Sequence, residues 1–256
     1  MKMKFFDSHS HYNDEKFDVD RENVLEELYE NSINGAICAG YGLESSIKAI
    51  ELSTKYNWMY ATCGISPNDI NETVEKDLEK IEKIATNHSI YAIGEIGLDY
   101  YWNKYNKELQ KEIFIKQIKL ANALHLPVVI HTRDAVMDTL EVLKNNECIK
   151  KGVFHCCPLN IELVKEALKL GYYISFSGNV TFKNAKPEEV VKYVPLDKLL
   201  IETDCPYLSP EPNRGKRNTS ANLKYIAEKI AEIKGITIED VAEQTYKNVK
   251  QLFKIT

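Results

Sequence analysis

Short apolar runs alternate along most of the chain with longer segments that have helical periodicity. Runs of strand type occur at 3–7, 35–40, 58–65, 90–97, 127–131, 152–156, 172–178 and 198–204. Between them, apolar residues recur every three to four positions, as in RENVLEELYENS and IELVKEALKLG, the latter closed by Gly171. Strands that alternate with helices pair in parallel through crossover connections. The pattern therefore predicts an α/β protein.

The number of units favours one particular architecture. Eight strand–helix units in 256 residues match a single TIM (β/α)8 barrel, whereas a doubly wound sheet, the alternative, more often contains fewer strands. NLKYIAEKIAEIKG and TIEDVAEQTYKNVKQLF follow the eighth run as two helices that would close the ring. No linker, low-complexity tract or repeat divides the chain, so we expect one domain over residues 1–256.

Composition narrows the class of protein. The chain is 44% hydrophobic and 28% charged, and its six cysteines are scattered without a Cys-x-x-Cys pair, which argues against a disulfide scaffold or a zinc ribbon. The N-terminus does not read as a secretory signal, and no apolar run approaches 18 residues. We expect a soluble cytoplasmic protein with no membrane association and no obligate protein partner.

The formal net charge of −5 argues against a protein that coats nucleic acid by general electrostatics. One compact basic cluster, Arg214, Lys216 and Arg217 in NRGKRN, lies in a segment rich in turn residues. This cluster is either part of a solvated loop or a local anion-binding site.

The segment FFDSHSHYND places Asp7, His9 and His11 two residues apart. In a regular strand these three side chains share one face. Taken alone, the segment fits a polar strand end as well as it fits a metal site.

Further candidate ligands follow the other runs. Glu95, His131, His155 and Asp204 come at the ends of runs four, five, six and eight, whereas His88 and His125 lie in helix-to-strand connections. The carboxyl ends of barrel strands are where such folds build active sites. A lone histidine there is often structural and a lone carboxylate often a helix cap, but the joint pattern favours a metal site.

Four imidazoles and two carboxylates suit Zn²⁺, Mn²⁺, Fe²⁺ or Mg²⁺. Six ligands are more than one tetrahedral ion binds, so two ions that share a bridging carboxylate are the simplest arrangement. Such a centre points to hydrolysis by an activated water.

The motifs DSHSHYN, GEIGLDYY, PVVIHTRDA, ISFSGNVTFKNA, LLIETDCPYLSP and RGKRN together resemble the TatD family of metal-dependent hydrolases. The resemblance implies a TIM barrel, deoxyribonuclease activity with DNA as substrate, in several members 3′ to 5′, and two divalent ions per chain. It implies that His9, His11 and Asp204 bind one ion, His131 and His155 the other, and that Glu95 bridges. Asp204 and Glu95 would be the catalytic residues, with Asp204 accepting a proton from the attacking water. Asp7 would support the site from outside the ligand set.

Substrate contacts are predicted more broadly. Arg133 and the Arg214, Lys216 and Arg217 cluster are candidates for phosphate binding. Tyr100, Tyr101 and Trp102 either stack on a base or pack over the barrel mouth.

The chain departs from the family pattern at three places. It has Ser66 where the family usually has a histidine near the substrate phosphate, HCCPLN in place of HCFSG, and Thr219 and Ser220 in place of Glu-Pro.

These departures leave three functions to compare. The first is a two-metal deoxyribonuclease. The second is an ester or amide hydrolase such as a D-aminoacyl-tRNA deacylase. The third is a barrel that binds without catalysis, which the full set of candidate ligands disfavours.

Overall fold

The computed structural model describes residues 3–31, 33–102 and 106–256, and eight strands and nine α-helices lie within these ranges. The strands are β1 (Phe5–Ser10), β2 (Ile33–Ala39), β3 (Met59–Thr62), β4 (Ile93–Asp99), β5 (Val128–Arg133), β6 (Gly152–Phe154), β7 (Tyr173–Phe176) and β8 (Leu199–Ile201). The helices are α1 (Arg21–Glu30), α2 (Leu43–Lys55), α3 (Val74–Asn87), α4 (Lys107–Ala123), α5 (Val136–Asn145), α6 (Ile161–Lys169), α7 (Glu188–Tyr193), α8 (Leu223–Lys234) and α9 (Ile238–Phe253).

All paired strands are parallel and follow chain order around a ring. The ladders form two sheets, β1-β2-β3 and β4-β5-β6-β7-β8. Backbone hydrogen bonds cross both gaps, from Gly94 N to the Cys63 carbonyl (2.9 Å) and from Asp204 N to the His9 carbonyl (3.0 Å). The arrangement is that of the predicted TIM barrel, with its ring of ladders interrupted at two places.

The centre of the ring is filled from the strands and closed from below by the C-terminal helix. One buried cluster joins inward-facing residues of six strands to the end of α9: Phe6, Ile37, Val129, Val153, Tyr173, Leu200, Val249, Leu252 and Phe253. A second, larger cluster packs the outer strand faces against the helices. Because side chains fill the lower interior, ligands have access only from the opposite end, where the strands terminate.

Each predicted run overlaps one strand, but three strands continue beyond the end of their run. β1, β4 and β5 reach Ser10, Asp99 and Arg133. His9, Glu95 and His131 therefore lie within strands, whereas the sequence pattern predicts them at the strand ends. The β4–β5 ladder continues through the pairs Leu98–Thr132 and Asp99–Arg133. Backbone pairing, and not apolarity, sets these boundaries.

A close approach between β4 and β5 brings two candidate ligands together. Gly97 lies against the backbone of His131, with φ of +142°, and a Cβ atom there would fall 2.0 Å from the His131 carbonyl oxygen. Glycine is therefore required for this spacing.

Among the described residues, no helix is long and apolar enough to cross a bilayer.

Candidate metal centre

A cleft of about 960 Å³ opens at the carboxyl ends of the strands. Five of the six predicted ligands line it, and His9 lies directly beneath them, fully buried. The wall around them includes Asp14, Tyr41, Ser66, Asn68, Asp69, Asp99, Trp102, Arg133 and Tyr207. The barrel thus brings side chains from five strands and the loops after them to one place.

Four donor atoms form the first group. The Nε2 atoms of His9 and His11 lie 3.1 Å apart, and each is 3.2–3.6 Å from Glu95 Oε2 and Asp204 Oδ1. Donors around a tetrahedral ion with bonds of about 2.0–2.1 Å lie roughly 3.3–3.4 Å apart. The spacing of this group matches a small divalent cation.

The second group shares Glu95 with the first. Its other carboxylate oxygen, Oε1, lies 3.2 Å from His131 Nδ1 and 3.6 Å from His155 Nε2, and these two nitrogens are 3.1 Å apart. His131 thus faces the group through Nδ1, whereas the other three imidazoles use Nε2. The two oxygens of one carboxylate point into different donor groups.

The chemistry of the donor set also fits a cation. Imidazole nitrogens at 3.1 Å from one another cannot all carry protons, and lone pairs that converge in a buried space repel one another unless a positive charge lies between them. Within the described chain, three sets of buried or partly buried His and acidic groups have ligand atoms close enough to share one ion: His9, His11 and Glu95; His9, His155 and Asp204; and Glu95, His131 and His155.

Outer hydrogen bonds fix the orientation of two imidazoles, and an outer carboxylate faces a third. His131 Nε2 lies 2.9 Å from Asp99 Oδ2, and His11 Nδ1 lies 3.2 Å from the Ala39 carbonyl. His155 Nδ1 faces Glu202 Oε1 at 3.4 Å, and the same oxygen accepts from Cys156 N. The contacts of His131 and His11 hold the proton on the nitrogen that faces away from the donor groups, which leaves the inner nitrogen free to bind a cation.

The electrostatic environment keeps both central carboxylates ionised. Burial by itself raises the pKa of Glu95, but the charge of His155 in its protonated form and hydrogen bonds from the imidazoles outweigh it, and the pKa lies well below its usual range. For Asp204, burial again raises the pKa and the hydrogen bond and charge of His11 more than offset it, so the pKa is lowered. Ionised carboxylates are the form that ligates metals.

Comparison with known proteins identifies the family. A family model described as "TatD related DNase" matches residues 6–254. The chain belongs to the TatD family.

Relatives of this TatD protein share its full length. It is 44% identical over 253 residues to the "uncharacterized metal-dependent hydrolase YabD" of Bacillus subtilis, with 98% of this chain and 99% of the relative covered. It is 37% identical to the "uncharacterized metal-dependent hydrolase YcfH" of Escherichia coli K12, with 99% and 97% covered. The protein is therefore a metal-dependent hydrolase of the TatD family.

Solved structures agree with the fold. The TatD homolog YJJV from Escherichia coli K12 superposes with a TM-score of 0.93 at 25% identity, and 100% of both chains is covered. A TatD family hydrolase from Entamoeba histolytica gives a TM-score of 0.86 at 25% identity, again over 100% of both chains.

One geometric expectation for β1 of the TatD chain is wrong. Asp7 pairs with Ala36 and Ser10 with Cys38, so three residues of β1 span two of β2. Because of this irregularity Asp7 does not face the same way as His9. Its carboxylate instead accepts from Thr203 Oγ1 (2.5 Å) and Ser220 Oγ (2.6 Å), which ties β1 to the loop that carries Asp204.

The predicted substrate contacts separate into two sets. Arg133 and Ser66 line the cleft, whereas Arg214, Lys216 and Arg217 do not. Arg217 makes a two-point ion pair with Asp20, at 2.8 and 2.6 Å. The structure does not bring the basic loop to the candidate metal centre, so a phosphate contact from it stays a prediction.

The remaining basic and aromatic candidates also differ in position. Arg214 lies over the Phe182 ring, with 3.7 Å from its guanidinium carbon to the ring centroid. Tyr100 donates to Asp138 at 2.7 Å and is not among the residues lining the cleft. Trp102, in contrast, lines the cleft.

Sequence reasoning missed the two acidic residues behind the imidazoles. Asp99, 1% exposed, contacts His131, and Glu202, fully buried, faces His155. Glu202 lies within the eighth apolar run, in LLIETD, and Asp99 follows the fourth run by two residues, in GEIGLD. A charged residue in a buried strand needs a partner. The carboxylate in an apolar segment was the sequence signal that could have pointed to these two residues.

Proposed function

We propose that the protein is a deoxyribonuclease that hydrolyses phosphodiester bonds with an activated water. The observation that carries the proposal is the division of the Glu95 carboxylate between two donor groups, since Oε2 faces His9 and His11 while Oε1 faces His131 and His155. Sites built in this way hold two divalent ions a few ångströms apart, as in many phosphodiester-cleaving enzymes.

When bound, the ions supply Lewis-acid polarisation of a phosphoryl oxygen and lower the pKa of water to near neutrality. The chain's own residues supply the rest. Asp204 presents an ionised carboxylate at the open side of the first group, where it accepts the proton of the attacking water. Arg133, at the end of β5, reaches the same cleft and offers a planar guanidinium for a phosphate.

The single experiment that tests this function is cleavage of DNA by the purified protein with Mg²⁺, Mn²⁺ or Zn²⁺. We expect cleavage with at least one ion, and a loss on the order of 100- to 1,000-fold in Glu95→Gln, because the neutral amide cannot join two cations. Glu79→Gln, at an exposed glutamate of α3, is the matched control and keeps full activity. Absence of cleavage of single- and double-stranded DNA with every ion would overturn the proposal.

A second candidate is hydrolysis of an aminoacyl ester such as a D-aminoacyl-tRNA. The observation in its favour is the acidic wall of the cleft, formed by Asp14 and Asp69, since carboxylates attract the ammonium group of an aminoacyl ester and repel a phosphate. Parallel turnover measurements on DNA and on aminoacylated tRNA decide between the two functions. Faster turnover of the ester would favour the second candidate.

A further inference from the structure

Two exposed aromatic rings follow β4, and one of them lines the cleft beside Arg133 of β5. Trp102 is 60% exposed and Tyr101 52% exposed, and their ring centroids lie 4.9 Å apart with the planes nearly perpendicular. Trp102 lines the cleft. Packing against the described residues therefore does not account for the position of this indole, which leaves most of its surface available to a ligand.

The guanidinium of Arg133 lies close to both rings. Its guanidinium carbon lies 3.6 Å from the centroid of Tyr101 and 5.6 Å from that of Trp102. A guanidinium stacked on an aromatic face keeps its N–H edges free to donate. Among the residues described as lining the cleft, Arg133 is the only lysine or arginine.

One carboxylate connects this aromatic corner to the metal centre. Asp99 Oδ1 accepts from the backbone N–H of Tyr101 (3.0 Å) and Trp102 (3.4 Å), while Oδ2 accepts from His131 Nε2 (2.9 Å). The rings are thus held at a fixed position relative to a candidate metal ligand.

The charged side chains of the cleft determine where the phosphate of a ligand binds. The lining of the cleft also includes Asp14 and Asp69, which disfavour a phosphate, whereas Arg133 favours one. An exposed indole beside a cation offers a flat apolar surface and a phosphate donor within one corner. A nucleotide has both complementary parts.

We propose that Trp102, Tyr101 and Arg133 form a nucleotide subsite, in which a base stacks on the Trp102 indole and the adjoining phosphate is bound by Arg133. This inference rests on the proposed deoxyribonuclease function, since it assigns the base next to the scissile bond. Stacking on an aromatic ring tolerates all four bases because each has a π face. The subsite gives affinity for a polynucleotide over a simple phosphodiester without sequence preference.

Tryptophan fluorescence tests the subsite directly. The chain has two tryptophans, and the other, Trp58, is 6% exposed, so Trp58→Phe leaves Trp102 as the only indole. In this variant loaded with Mg²⁺, deoxyadenosine monophosphate quenches the emission, and it binds on the order of 10- to 100-fold more tightly than deoxyribose 5-phosphate, which lacks the base. Equal affinity of the two probes, or binding without quenching, overturns the inference.

Kinetics provide a second, independent test. Trp102→Ala raises KM for single-stranded DNA on the order of 10-fold or more with little change in kcat, and Trp102→Phe, which keeps a ring, restores most of the affinity. Tyr193→Ala, at an exposed aromatic of α7, is the control and leaves KM unchanged. An unchanged KM in Trp102→Ala overturns the inference.

The two proposals fail in different ways. Cleavage of DNA with no response of Trp102 to nucleotide overturns the subsite and leaves the nuclease function intact. Nucleotide binding through Trp102 without cleavage of any DNA supports the subsite as a binding site and overturns the nuclease function.

Discussion

Replacement of Asp99 by asparagine exchanges one carboxylate oxygen for an NH₂ group, at a side chain that accepts hydrogen bonds from four donors. The side chain accepts from His131 Nε2, Asn68 Nδ2 and the backbone N–H groups of Tyr101 and Trp102. An asparagine has one acceptor oxygen, so its NH₂ group must face donors on one of the two sides. The isosteric change therefore weakens the hold on His131 or on the aromatic corner without opening a cavity.

The size of the effect follows from the bond to His131. Asp99 and His131 are joined at 2.9 Å, and Asp99 is only 1% exposed, so this is a buried hydrogen bond to a charged group. Bonds of this kind contribute about 1.5–3 kcal/mol, and outer partners of metal-binding histidines typically change affinity by about 10- to 100-fold. If the two proposed ions bind, we expect a loss of that size for the one held by Glu95, His131 and His155, with little change for the one held by His9, His11 and Asp204.

Calorimetric titration of the metal-free protein with Zn²⁺ measures the two binding events that the proposal predicts. Asp99→Asn keeps two events and weakens one of them. Asp138→Asn is the control, because Asp138 accepts from Tyr100 and lies outside the centre. Equal weakening of both events, or an unchanged titration, would refute the positioning role of Asp99.

Three further outcomes are expected. Arg133→Ala raises KM for DNA more than Arg217→Ala, since Arg133 lines the cleft and Arg217 is bound to Asp20; equal effects in steady-state assays would contradict this assignment. A divalent ion at 100 times its Kd stabilises the native state by about 2.7 kcal/mol, which raises Tm by several degrees in a thermal scan, and Glu95→Gln loses most of that shift. Phe253→Ala removes a buried ring from the barrel interior and lowers the free energy of unfolding by about 3–5 kcal/mol in urea titrations while metal affinity stays unchanged; a coupled loss of metal affinity would contradict the separation of core and centre.

Local sequence determined the order and type of the elements. Each apolar run overlaps a strand, and Gly171 and Gly235 follow the ends of α6 and α8 with positive φ, as predicted for Gly171. Burial of apolar residues at strand and helix spacing is a local property, which is why periodicity indicates it correctly. The fold class and the candidate ligands could be stated from these patterns because parallel strands place their carboxyl ends at one edge.

Tertiary structure alone decided the geometry of the centre. The irregularity of β1 turns Asp7 away from His9, and the close approach at Gly97 sets the spacing of β4 and β5. The contacts of Asp99 with His131 and of Glu202 with His155 join residues 32 and 47 positions apart along the chain. Hydrogen bonds and ion pairs over such separations depend on how strands register around the ring. Sequence by itself therefore determined which residues could bind metal and at which end of the barrel, and only the folded ring decided which atoms face one another.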